Sequence, residues 1–155
     1  MNGKTFLLLL FIVLSAAPVC YSQTNVKNSA AQNVSSKASA QVKASPAYAE
    51  ILLRRTERES ELEQFLIDYT EEFPKVKEIR FEMDSIREEM DRILAVGAPE
   101  AGKLTLALGK LMVRKIEIQT DLWNLRQQYN NDHPEVKRAR RKIEIFEKSI
   151  KEILQ

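Results

Sequence analysis

From residue 62 onward the apolar positions of this chain step by alternating fours and threes, through Leu62, Leu66, Tyr69, Phe73, Val76, Ile79, Met83, Ile86, Met90 and Ile93. Val136, Ala139, Ile143, Phe146, Ile150 and Ile153 repeat that spacing later in the chain. It is the spacing that puts one face of an α-helix against a core or against another helix. No comparable alternation of strand type occurs. The pattern therefore predicts an all-α protein, with Ala95-Val-Gly-Ala-Pro-Glu-Ala-Gly102 as its clearest turn.

The two stretches are related. Sliding residues 52–94 onto 112–154 leaves ten identities, among them Arg54/Arg114, Leu62/Leu122, Lys77/Lys137 and Arg80/Arg140, and most other apolar positions stay apolar. At the centre of each copy lies a proline motif, Tyr69-Thr-Glu-Glu-Phe-Pro74-Lys-Val76 in the first and Tyr129-Asn-Asn-Asp-His133-Pro134-Glu-Val136 in the second. The expected architecture is two repeated αα-hairpins forming an antiparallel helical bundle or coiled coil.

Pro74 and Pro134 decide between two versions of it. Proline inside a helix costs about 3 kcal/mol or more and pushes the preceding residue out of helical geometry. This favours four helices, near 48–70, 74–95, 103–129 and 134–154, with Asp132 capping the last one and Glu135 three places on. Because the spacing passes through Pro74 in phase, one long hairpin of two kinked helices is the alternative. Two further features stand out. Arg54-Arg-Thr-Glu-Arg-Glu-Ser-Glu61 lacks a large apolar side chain, implying loose packing or a polar partner. Residues 104–125 are apolar over more than one face, as expected of a helix central in the fold or covered by another subunit.

Ahead of the helices, Lys4, the apolar run Phe6 to Leu14 and small residues Ser15-Ala-Ala17 have the order of a secretory signal peptide. The run is short for a membrane span, which needs about 20 residues. Residues 1–22 are thus expected to be removed after Ser22, leaving a mature chain with no transmembrane span in the periplasm or outside the cell. Cys20 invites a lipid anchor, but the preceding Val19 is not the small residue such a motif needs; the alternative is that Cys20 leaves with the signal. Residues 23–46 are rich in Ser, Ala, Asn, Gln and Lys and poor in apolar surface, and they read as a flexible linker.

The division that follows is a first helical repeat at 47–96, a turn at 97–102 and a second repeat at 103–155. Charge separates them. The formal net charge of +2 conceals eight basic against fourteen acidic residues in 47–96, a net −6, and twelve against seven in 103–155, a net +5.

Few residues suggest chemistry. His133 is the single histidine, so no His cluster exists for zinc or a catalytic triad, and no Gly-rich phosphate loop or Cys pair occurs. Neither a cofactor nor a metal is expected. Glu71-Glu72 and Glu88-Glu89 are read as solvated helical charge, and Trp123, Tyr69 and Tyr129 as core or turn packing. The one dense charge patch is Lys137, Arg138, Arg140, Arg141 and Lys142. Without interleaved aromatics, and beyond an export signal, it does not suggest nucleic acid. It suits an anionic glycan, lipid head group or acidic peptide, or alternatively it faces Glu82, Asp84, Glu88, Glu89 and Asp91 of the first repeat.

At Tyr129, His133, Pro134 and Val136 the chain resembles the periplasmic coiled-coil region of the bacterial polysaccharide chain-length determinant and exopolysaccharide-export family. Tyr69, Pro74 and Val76 match the same pattern, with Phe73 in place of the histidine. What the resemblance implies is an envelope-located helical scaffold, associated with polysaccharide export but with no implication of chain-length control.

The expectation is a non-enzymatic, exported interaction protein that forms homo-oligomers or docks to an envelope protein. A periplasmic holdase chaperone, shielding clients on the apolar Leu104 to Leu125 face without ATP, is the alternative.

Overall fold

A computed structural model describes residues 39–155; the expected signal peptide and most of the expected linker lie outside the described residues. Four long helices follow one another: α1 Pro46–Asp68, α2 Pro74–Leu94, α3 Leu106–Gln128 and α4 Pro134–Leu154, with a 3₁₀ segment, Ala98–Lys103, between α2 and α3. No strand occurs among the described residues. The fold is an all-α bundle.

Local chemistry sets the helix ends. Pro46, Pro74 and Pro134 each open a helix, where the missing N–H is one that no intrahelical carbonyl would accept and the fixed φ already suits the helix. Ser45 Oγ and Thr105 Oγ1 accept the N–H groups of Tyr48 and Leu108, each at 3.3 Å, capping α1 and α3. Both prolines of the repeated motif therefore separate helices and do not kink them. The 97–102 turn is ordered as a 3₁₀ segment, and α3 starts three residues later than expected.

Cross-helix pairs fix the directions. Arg54 meets Glu82 and Lys75 meets Glu61, so α1 and α2 are antiparallel. Lys115 meets Glu89 while Asn124 meets Glu78, so α2 and α3 are antiparallel; Lys115 also meets Glu147, on α4. Each of α1, α2 and α3 packs on the other two, whereas α4 packs chiefly on α3. The main core gathers Ala47 and Ile51 of α1, Ile86, Met90 and Ile93 of α2, Leu108, Met112 and Ile116 of α3 and Ile150 of α4. A smaller cluster of Leu62, Val76 and Ile79 lies at the far end of the first hairpin. Gly109 lets α1 and α3 approach closely: a Cβ there would stand 2.9 Å from Ala47 Cα.

Two expectations are corrected here. The linker does not extend to residue 46, because 39–43 form a helical turn and Val42 is buried in the main core beside Ala47 and Leu104. Tyr69, on the expected apolar stripe, is 46% exposed, since the helix ends at Asp68 and Tyr69 turns outward in extended conformation.

Candidate interaction surface

The two proline motifs fold into the same turn. Tyr69 and Tyr129 both leave the helix extended, at φ −128°, ψ 156° and φ −127°, ψ 151°, each donating its N–H to the carbonyl four residues back, Phe65 at 2.9 Å and Leu125 at 2.8 Å. The N–H of Phe73 then donates to Thr70 O at 3.0 Å, and that of His133 to Asn130 O at 3.2 Å. Each tyrosine ring stacks on the residue before the proline: Tyr69 on Phe73 at 4.0 Å and 17°, Tyr129 on His133 at 4.0 Å and 18°. Val76 and Val136, two residues past each proline, are fully buried. A planar ring at that place serves the stack, which is why Phe and His substitute for one another.

The copies differ at the cap. His133 Nδ1 accepts the N–H of Glu135 at 3.3 Å, whereas Phe73 offers no acceptor. Asp132, expected as the cap, instead lies in the turn with its N–H on Asn130 Oδ1 and its carboxylate 3.2 Å from Lys137. Glu71 and Glu72 also belong to their turn and not to a helical face. Glu71 accepts from Arg80, which holds its carboxyl below the usual range, and Glu72 meets Lys77.

Away from the tips the bundle is cross-linked by two ionic clusters. Glu82, 3% exposed, accepts from Arg54 Nε at 2.8 Å and lies 3.5 Å from Arg58 Nε. The arginine-rich segment of α1 thus does meet a polar partner, and that partner is within the chain. The second cluster joins three helices: Lys115 of α3 contacts Glu89 of α2 and sits 2.9 Å from Glu147 of α4, while Arg92 clamps Glu147 with two bonds of 3.0 and 2.8 Å. The paired bonds from Arg92, opposed by burial and helped by Lys115, bring the Glu147 carboxyl down to about 2. Glu89 is therefore no solvated surface charge. Arg58 Nε and Glu89 Oε2, at the margins of the two clusters, are buried without a hydrogen bond.

Among the described residues no side chain of the basic patch pairs with a carboxylate of the acidic repeat. Lys137 and Arg138 pair within their own turn and helix, with Asp132 and Glu135 at 3.2 and 3.1 Å. Arg140 donates to the neutral Asn131 at 2.6 Å. Arg141 and Lys142 are exposed and have no ion pair among the described residues. Three of the five carboxylates that the sequence offers as partners for the patch are used elsewhere, Glu82 and Glu89 in the two clusters and Asp84 by Arg87.

Because α4 rests chiefly on α3, a trough of about 360 Å³ opens between α2 and α4, lined by Phe81, Leu122, Trp123 and Ile143 with Arg126 and Arg140 at its rim. Phe81 and Trp123 stack within it at 5.6 Å. The spacing of Ile143 and Trp123 marked both as apolar positions, but only the packing of α4 reveals that they share an open side. Among the described residues no three His, Cys, Asp or Glu side chains are placed to hold a metal ion, and no helix is long and apolar enough to cross a membrane. Comparison with family models, with curated proteins and with solved structures gave no match.

Proposed function

We propose that the chain is a non-enzymatic helical interaction protein of the cell envelope, carried there by its N-terminal signal and acting by presenting surfaces. The observation that carries this reading is the uncovered side of α4: an apolar trough with Arg126 and Arg140 at its rim, neither holding a carboxylate among the described residues, beside exposed Arg141 and Lys142. Such a side suits docking of an anionic protein surface or glycan, in which charge steers the encounter and apolar contact holds it. The resemblance at Tyr129, His133, Pro134 and Val136 supports an association with polysaccharide export.

The chaperone alternative is less well supported. The face assigned to clients contributes Leu104, Leu108, Met112, Ile116 and Ile118 to the protein's own interior. In-cell crosslinking from positions beside Arg140 and Arg114 tests the proposal. Recovery of an envelope protein or glycan is the expected result. A chain found in the cytosol, or one joined to nothing in the envelope, removes it.

A further inference from the structure

Among the described residues the most exposed large apolar side chain is Ile67, 82% exposed, in the last turn of α1. It is ringed by acid. Glu63 lies one turn before it, Asp68 follows it, and the half-exposed Tyr69 comes next. Neighbouring carboxylates are already paired, Glu59 with Arg55, Glu61 with Arg58 and Glu71 with Arg80, whereas Glu63 and Asp68 have no ion pair among the described residues. The trough between α2 and α4 offers the complement, an apolar floor of Phe81, Leu122, Trp123 and Ile143. Arg126 and Arg140 line it with one carboxylate, Glu144, and neither arginine has a carboxylate partner among the described residues.

We propose that the Ile67 knob of one copy docks in the α2–α4 trough of a second copy, with Glu63 and Asp68 meeting Arg126 and Arg140. The two halves of the chain differ in the way such a contact requires, net −6 over 47–96 and net +5 over 103–155. A membrane or anionic glycan would accept the cationic rim but repel the acidic knob, whereas a second copy of this chain supplies the complement to both. Each copy carries one knob and one trough, so two copies can exchange knobs about a two-fold axis or join head to tail. The contact is small compared with a standard protein interface, so the association is weak and concentration-dependent. Its charged rim makes it salt-sensitive, because the screening length falls from about 10 Å at 0.1 M to about 3 Å at 1 M ionic strength.

The inference rests on reading the chain as an interaction protein, and the two fail separately. The test is sedimentation velocity on the full chain, purified as the host processes it, at concentrations up to about 1 mM, where association at millimolar Kd is still visible. The wild type is expected to associate at low salt and dissociate at high salt. Ile67→Glu and, separately, Arg126→Glu or Arg140→Glu should each weaken association at least about tenfold, with helicity by circular dichroism unchanged. Mixing a knob variant with a trough variant should restore a 1:1 complex, since each keeps the surface that the other lost. A wild type that is monomeric throughout, variants that associate like wild type, or a mixture that does not pair overturns the self-docking. A monomer still crosslinked to another envelope component in cells overturns it too, and leaves the wider reading standing.

Discussion

Lys115 shows how unevenly charged side chains contribute. Its ammonium is buried between Glu89 and Glu147, so replacing it by Met leaves the Glu89 carboxylate buried with only Arg92 nearby, at 3.7 Å. The expected loss is about 3–5 kcal/mol in urea unfolding, the cost of an orphaned buried charge, and Glu89→Gln in the same chain should recover part of it. Lys137→Ala, by contrast, should change stability by under about 1 kcal/mol, because its pair with Asp132 is in solvent. Gly109 tests a different force. Ala in place of Gly within a helix usually stabilises by about 1 kcal/mol, yet here the new Cβ meets Ala47 and Glu50 at 2.9 Å. One of the contacted atoms is backbone and cannot swing away, so Gly109→Ala should instead destabilise by about 1–3 kcal/mol, read as a lower melting temperature.

At the scale of elements, the prolines give the sharpest contrast between the two architectures weighed above. A proline inside a kinked helix would raise stability by about 3 kcal/mol when replaced by Ala. A proline in the first helical position acts mainly by restricting the unfolded chain, so Pro74→Ala and Pro134→Ala should each lower stability by about 0.4–1 kcal/mol in chemical unfolding. The helices and their breaks were legible because proline geometry and three-four spacing act within a few residues. The buried valines at 76 and 136 followed from the same spacing. What remained hidden depended on register between distant helices: that Arg54 and Arg58 converge on Glu82, that Lys115 finds Glu89, and that Val42 folds back onto Leu104. The open trough was hidden for the same reason. Nothing near Ile143 in the chain says that α2 stops short of covering it. His133 took the capping role expected of Asp132, because stacking on Tyr129 already holds its Nδ1 beside the Glu135 N–H.

Across the whole molecule the weakest attachment is that of α4. It buries Val136, Ala139 and Ile150 against eight residues in α2, and it packs chiefly on α3, whereas α1, which also buries three, is held between α2 and α3. Beyond its packing on α3, α4 is tied by Arg92 and Lys115 to Glu147 and by Lys103 to the carbonyl of Leu154. Local opening follows such differences in the number of packed neighbours, so amides of α4 should exchange with deuterium before those of α1, α2 and the buried face of α3. Acid should widen the gap. The Glu147 carboxyl titrates near 2 in the folded chain against 4.5 for the free group, so its contribution is complete above pH 4.5 and is lost as pH falls from there toward 2. With its side chain 28% exposed, solvent screening leaves that contribution at about 1–2 kcal/mol. Glu147→Gln should therefore detach α4 at neutral pH to roughly the extent that acid does in the wild type, and should flatten this part of the acid limb in urea unfolding. If α4 in the variant keeps wild-type protection at pH 7, the ionic tie to Arg92 and Lys115 is not what holds the helix, and its contacts with α3 suffice.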